Sequence, residues 1–386
     1  MGEFGDVFPA LNTDNCSFFA LGRNAMHAAC VAAGIRSGDE ILTPAFDCDG
    51  TLHPFTAARA NVVFYRSNPY TLAIDCDDLC GRITSKTKLI HVINHFGFPQ
   101  PWNELLRVRN ETGIPILEDN AYSLYSRFGE KPLGTMGDMA IFSLRKELPI
   151  IDGGVLRINN PQFTCDLPSR SVAWVYPTER RTAISLLQRY VRERLKLPIP
   201  FERLAHLIGY LRPTENIIYL PPLYSDPNAP FPDWPERDVA GEDFECDHLR
   251  PMSRLARWQV QGWSEEDVEQ LKKLRRSAYT YLSDSLRGIS GIEIIEPVLA
   301  EGVVPFSFNF LIRENRDQVL NKLERRFSLM AWPTLPQAVL DQLNEFPDVQ
   351  ILGRQLLQWV FPKGCHWPAD YDNHMRKFVT EIDEFV

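Results

Sequence analysis

Four polar residues stand where apolar runs stop. Asp119 closes the run at residues 114–119, IPILED, and Ser143 and Lys146 close the run at 139–144, MAIFSL. Gly22 sits just ahead of the Ala-rich segment 24–34, and Asp152-Gly153-Gly154 leads into VLRI at 155–158. Each type has its own chemistry. A glycine turn that feeds a helix presents backbone N–H groups to an anion, commonly phosphate. A carboxylate at a strand end holds a proton on a ring nitrogen or binds a metal. A lysine in a partly buried cleft loses proton affinity and becomes an amine nucleophile. Each also has a plain alternative: a simple turn, a helix N-cap, a lysine reaching to the surface, a hairpin. Taken together, a phosphate cradle, an acid for a ring nitrogen and an amine for a Schiff base are what pyridoxal phosphate (PLP) asks of a protein. The dinucleotide fingerprint GxGxxG and the phosphate loop GxxxxGK[ST] are both missing.

These residues need a frame. Between residues 16 and 165 helix-like and strand-like segments alternate. Strands are expected at 39–44, 61–66, 89–94, 114–119, 139–144 and 155–158, and helices at 24–34, around Pro54 and at 102–113. That order predicts an α/β fold, with a mostly parallel sheet covered by helices on both faces. Ligands then bind at the carboxyl ends of the strands, where Asp119 and Lys146 fall. The texture changes after Gly154. Residues 179–211 are basic with helical spacing, and 219–238 are Pro-rich, like an extended linker. From about 250 a smaller α+β domain is expected. Its helices lie at 253–263, 264–289, 316–326 and 375–385, with a strand at 303–313. Ser264 is a good N-cap there, with Asp267 three residues on. The domain boundaries read as 1–165, 166–249 and 250–386.

The whole chain narrows the classes. It has 386 residues and a net charge of −9, which argues against a general nucleic-acid binder. No apolar run reaches the ~18 residues of a spanning helix, so membrane association is not expected. The N-terminus lacks a basic segment followed by an apolar one, so no signal peptide is read. Eight scattered cysteines without a CxxC pair suit reduced thiols in a cytoplasm. Cys76 and Cys80 lack a second ligand pair at zinc spacing, so no metal site is expected.

Four stretches, in order, carry a resemblance: GDEILTPAF (38–46), ILEDNAYS (116–123), KPLGTMGDMAIFSLRK (131–146) and DGGVLRINN (152–160). Together they resemble the DegT/DnrJ/EryC1/StrS family of aminotransferases, which are fold-type-I PLP enzymes. The likeness is fainter at 250–259 and 332–336. It implies that Lys146 links to the cofactor and later moves a proton, and that Asp119 pairs with the pyridine nitrogen. It places Gly22, Arg23, Asn24 and Ser143 at the phosphate, and Asn120 and Tyr122 near the ring. Cys48 falls where many members stack an aromatic ring, with Phe46 two residues earlier. His248 and Arg250 are nearest to the position that serves a partner subunit's phosphate. The spacing from Ser143 to Lys146 is shorter than in the family.

The resemblance implies transamination, with an amino donor such as glutamate and a keto acceptor such as a nucleotide-linked keto sugar, in a homodimer. A second reading keeps cofactor and fold but changes the reaction to elimination, dehydration or bond formation on an amino acid. A third is a non-catalytic relative that binds a partner. The histidines at 27, 53, 91, 95 and 206 read as packing residues.

Overall fold

In the computed structural model, the described residues are 4–11, 13–165, 173–175, 248–365 and 367–386. The expectations for 179–211 and 219–238 lie outside them.

The alternating segments build one seven-stranded sheet. Its strands are β1 (Cys16–Phe19), β2 (Glu40–Pro44), β3 (Asn61–Tyr65), β4 (Thr87–Ile93), β5 (Ile116–Asn120), β6 (Met139–Ser143) and β7 (Gly154–Ile158). The spatial order is β1-β7-β6-β5-β4-β2-β3. Five strands, β3-β2-β4-β5-β6, run parallel. β7 and β1 close one edge antiparallel. The central strands β5 and β6 are buried at every position, as a sheet covered on both faces requires. Six of the seven strands sit where the apolar runs place them. β1 was not anticipated; it is a four-residue segment whose pairing with β7 supplies the missing signal.

The helices are α1 (Gly22–Ala32), α2 (Leu52–Ala57), α3 (Cys76–Gly81), α4 (Trp102–Thr112) and α5 (Leu144–Glu147). α4 ends where Gly113 turns left-handed at φ 71°, a C-cap that glycine adopts without steric cost. α3 explains the acidic run near Cys76. Asp75 caps it by accepting from the Asp78 N–H at 2.9 Å.

The Asp152-Gly153-Gly154 stretch corrects the expectation of a tight hairpin. β6 and β7 do pair antiparallel, but residues 144–153 connect them and include α5. The glycines serve close approach instead. A Cβ on Gly154 would stand 2.1 Å from the Leu21 carbonyl oxygen, so only glycine lets β7 pass beneath the start of α1.

A second sheet follows later in the chain. It holds β8 (Ile292–Ile294), β9 (Ser307–Ile312), β10 (Leu329–Met330) and β11 (Leu356–Val360), all antiparallel in the order β8-β9-β11-β10. Around it lie α6 (Arg254–Gln261), α7 (Glu265–Leu286), α8 (Arg316–Leu323), α9 (Pro347–Gln355) and α10 (Tyr371–Asp383). Ser264 caps α7 reciprocally with Asp267, as the sequence predicts. Trp359, Phe327, Phe378 and Tyr371 form an aromatic cluster under this sheet, with Trp359 and Phe378 centroids 4.6 Å apart.

Candidate active site

β5 turns two neighbouring acids to opposite faces, because successive strand side chains alternate. Glu118 and Asn120 point one way and share Asn94, whose Nδ2 donates to Glu118 Oε1 at 3.0 Å and to Asn120 Oδ1 at 2.9 Å. Asp119 points the other way. Its Oδ1 accepts from the Ala121 N–H at 2.7 Å, and its Oδ2 meets His91 Nε2 at 3.3 Å. His91 Nδ1 lies 2.8 Å from Thr43 Oγ1, so β2, β4 and β5 are joined by a Thr43–His91–Asp119 relay. Sequence reasoning read His91 as a packing residue. The structure packs the ring, fully buried, edge-on to Phe55 at 5.2 Å, and adds a polar partner in the acid at the strand end.

A second carboxyl lies beside this relay. Asp47 is buried just past β2, with Oδ1 accepting from the Cys48 N–H at 2.7 Å. Burial pushes its pKa up to about 6; His91 opposes the rise and Asp119 adds to it. Its Oδ2 has no hydrogen-bond partner among the described residues. The one hint in the sequence was an acid set in the run TPAFDCDG.

Lys146 sits on the one-turn helix α5, directly after β6. Its Nζ lies 4.0 Å from the centre of the Tyr122 ring. Burial pulls the lysine pKa down, but interactions with Tyr122, Cys48 and Asp119 outweigh that and hold it above its usual value. This reverses the expectation of lost proton affinity. The cause is the set of groups that surrounds the amine. α5 is fixed from behind. Glu147 forms a buried ion pair with Arg275 of α7 at 2.7 Å, which anchors the lysine turn on the second half of the chain. Tyr122 is walled by Phe306, Trp332 and Phe96 at centroid distances of 4.8, 5.7 and 5.8 Å.

Gly22 and Ser143 meet on the remaining side. A Cβ on Gly22 would stand 3.1 Å from Ser143 Cβ and 3.4 Å from Ser143 Oγ. Gly22 begins α1, where backbone N–H groups lack intrahelical partners. Ser143 precedes α5 without a side-chain cap bond. The Arg23 side chain lies over Gly50 and near Cys48. Asn24 does other work. Its Oδ1 accepts from the Leu21 N–H at 3.0 Å, and its Nδ2 donates to the His248 carbonyl at 3.0 Å, so it fastens the start of α1.

Lys146 is thus brought within electrostatic reach of Cys48, Tyr122 and Asp119, and Gly22 is brought against Ser143. The structure does not bring Asn120 to them; it lies across the strand with Asn94. The Cys48 thiol is pushed up to about 11 by burial and Asp47, with Lys146 opposing. Phe46 packs away in the core, edge-on to Trp332 at 6.0 Å. His248 stacks near His27 at 4.6 Å, and the Arg250 carbonyl accepts from the Ala20 N–H at 2.8 Å.

The donor set fits PLP. An acid on one strand end, an amine on the next, and a serine beside a helix-start glycine match its ring nitrogen, aldehyde and phosphate.

Residues 8–167 match the model of the DegT/DnrJ/EryC1/StrS aminotransferase family. Over these residues the chain is similar to that family. Solved structures extend the likeness of fold along the whole length. The aminotransferase TlmJ from Streptoalloteichus hindustanus is 16% identical with a TM-score of 0.65, covering 99% of this chain and 88% of its own. Spr1654 from Streptococcus pneumoniae, in a PLP form, is 13% identical with a TM-score of 0.63, covering 99% and 89%. ColD, a GDP-4-keto-6-deoxymannose-3-dehydratase with bound GDP-perosamine, is 17% identical with a TM-score of 0.61, covering 97% and 90%. The matched region thus lies in a fold-type-I frame, with a smaller C-terminal part.

Proposed function

We propose that this protein is a PLP-dependent aminotransferase that moves nitrogen from an amino donor such as glutamate to a keto acceptor such as a nucleotide-linked keto sugar. The observation that carries this reading is the placement of Lys146 and Asp119 on neighbouring strand ends, within electrostatic reach of each other. Lys146 would hold the cofactor's aldehyde carbon, Asp119 its ring nitrogen, and Ser143 with the first amides of α1 its phosphate. When bound, PLP supplies an aldehyde that captures amines and a protonated ring that draws electrons from the adjacent carbon.

The chain's own residues do the rest. His91 orients Asp119 and, through Thr43, ties it to the sheet. Held in this way, Asp119 would face the ring nitrogen of the bound cofactor. Lys146 carries a proton at Nζ and can deliver it or take it back. Tyr122, backed by Phe306 and Trp332, screens the amine from water on one side. Homodimer formation and a cytoplasmic setting belong to the same proposal, as do the large domain at 1–165 and the smaller one at 250–386.

The test is spectroscopic. The purified chain mixed with PLP should show a visible absorbance band that glutamate bleaches. Lys146→Ala should lack the band. A band that survives Lys146→Ala rejects the assignment. A band that glutamate leaves untouched, while another amino acid is consumed, would favour elimination or dehydration. That second reading draws on Cys48 and on the short Ser143-to-Lys146 spacing.

A further inference from the structure

The carboxyl ends of β2, β4 and β5 are laced together. His95 Nε2 lies 3.0 Å from the Phe46 carbonyl oxygen, and the Asn94 N–H donates to the Asp119 carbonyl at 3.0 Å. Asp47 follows Phe46, so the lacing brings it to the Thr43–His91–Asp119 relay, where its carboxyl acts on His91 and Asp119 alike. All three groups are buried, and Phe55 stands edge-on to the His91 ring at 5.2 Å. Asp47 Oδ1 accepts from the Cys48 N–H at 2.7 Å, while Oδ2 has no hydrogen-bond partner among the described residues. A carboxylate so placed needs a cation beside it or a proton of its own. Its surroundings narrow the choice. The phenols of Tyr65 and Tyr122 and the Cys48 thiol are all pushed up by burial and stay neutral. His95 is lowered to about 4 by burial, so it is neutral too. The Thr51 hydroxyl carries no charge, Arg23 of α1 lies over Gly50, and Lys146 acts on Cys48 and Asp119. His91 acts on Asp47 more strongly than any other group does, and it already meets Asp119.

We propose that Asp47 and His91 share one proton, which makes Asp47 a positioning residue for Asp119. This rests on the PLP reading, in which Asp119 faces the ring nitrogen. The proton has two places to sit. On Asp47, it leaves a neutral imidazole with a single N–H to divide between Thr43 and Asp119. On His91, it gives both ring nitrogens an N–H, one for Thr43 Oγ1 and one for Asp119 Oδ2, and Asp119 is then held by charge as well as by a hydrogen bond. Crossing from one place to the other leaves the total charge of the three residues unchanged. Sharing requires matched affinities. Burial pushes the Asp47 carboxyl up to about 6, with His91 opposing and Asp119 adding, close to the ~6.5 of an ordinary imidazole. Two groups that interact this closely titrate as a pair.

Carbon-13 NMR of the full chain, labelled in histidine rings and aspartate carboxyls, tests the pair before any cofactor is added. The His91 ring signal is identified by its loss in His91→Gln, and the Asp47 carboxyl signal by its loss in Asp47→Asn. In the wild type both signals should step with pH at one common midpoint near 6. In Asp47→Asn the His91 step should move to lower pH by about one unit or more, a tenfold loss of proton affinity, because a neighbouring anion has gone. A purely structural Asp47 would alter melting and leave that midpoint in place. After loading with PLP, the wild-type visible band should change with pH through the same midpoint, and the Asp47→Asn band should stay flat there. The proposal is overturned if the His91 step keeps its midpoint in Asp47→Asn. It is also overturned if, in the wild type, the Asp47 carboxyl steps alone, with no matching step at His91; that measurement needs no folded variant. A common step in the chain without cofactor, followed by no visible band on adding PLP, would reject the PLP reading and leave the shared proton established.

Discussion

Glu118 and Asp119 are neighbours in sequence and opposites in structure. Glu118 accepts from Asn94 Nδ2 and from the N–H groups of Gly134, Met136 and Gly137, at 2.6 to 3.1 Å. That fills the roughly four lone-pair sites a carboxylate has. Asp119 has one short bond, to Ala121, and one long contact, to His91. A saturated acid has nothing left for a ligand. A half-satisfied acid at a strand end can still take one. The contrast separates the face that holds the fold from the face that does chemistry, and it can be attacked from either side.

The largest effect should come from the functional face. Asp119→Ala should lower turnover by about 10²–10⁴-fold, the range for loss of a group that controls a proton, and should weaken PLP uptake as read by the visible band. Its melting temperature should move little. Next in size, Glu118→Ala leaves three amides and Asn94 without their acceptor, each at a cost of about 1–3 kcal/mol. It should yield insoluble protein or the lowest melting temperature of the set. If the two variants exchanged behaviours in a paired melting and absorbance experiment, the division of the strand would be wrong.

Asp47 sharpens the comparison, because it lies on the functional side but has an oxygen without a hydrogen-bond partner among the described residues. Its pKa in the fold, about 6, stands above the ordinary 3.8. A raised acid is accommodated while protonated, so its penalty is absent below the ordinary value and develops as pH rises through about 6. Two pKa units correspond to about 3 kcal/mol. Asp47→Asn should therefore raise the melting temperature at pH 7.5 and leave it nearly unchanged at pH 4. An equal gain at both pH values would show that the carboxyl's charge is not the cause. The smallest effect belongs to Asn120→Ala, which removes one acceptor from the structural face at about 1 kcal/mol. It should leave the absorbance band in place; a shifted band would move Asn120 to the other side of the division.

Much of this was legible beforehand. Proline and glycine punctuation marked six strands of the large sheet, and Ser264 with Asp267 marked the start of α7. The acid and the lysine stood out because they end apolar runs. Other parts carried no local signal. β8 and β10 are three and two residues long, and their stability comes from pairing with β9 and β11. LLQWV at 356–360 follows directly on α9 and reads as its continuation. In a strand buried on both sides, alternation cannot say which face meets the ligand, so Asn120 and Asp119 read alike. His91 lies in the apolar run LIHVIN, where a buried histidine is usually just packed. Lys363 reaches Arg145 across 218 positions of chain, a distance no local pattern spans.

The back-to-back acids make β5 intolerant of a change in length. Deleting or inserting one residue upstream within it would rotate every later side chain by half a turn. The scaffold's glutamate would then look into the pocket, and the pocket's aspartate would face the Gly134–Gly137 loop. Length variation in this chain should therefore be found in its connections, as in the brief link from Ser143 to Lys146, while this strand keeps its count.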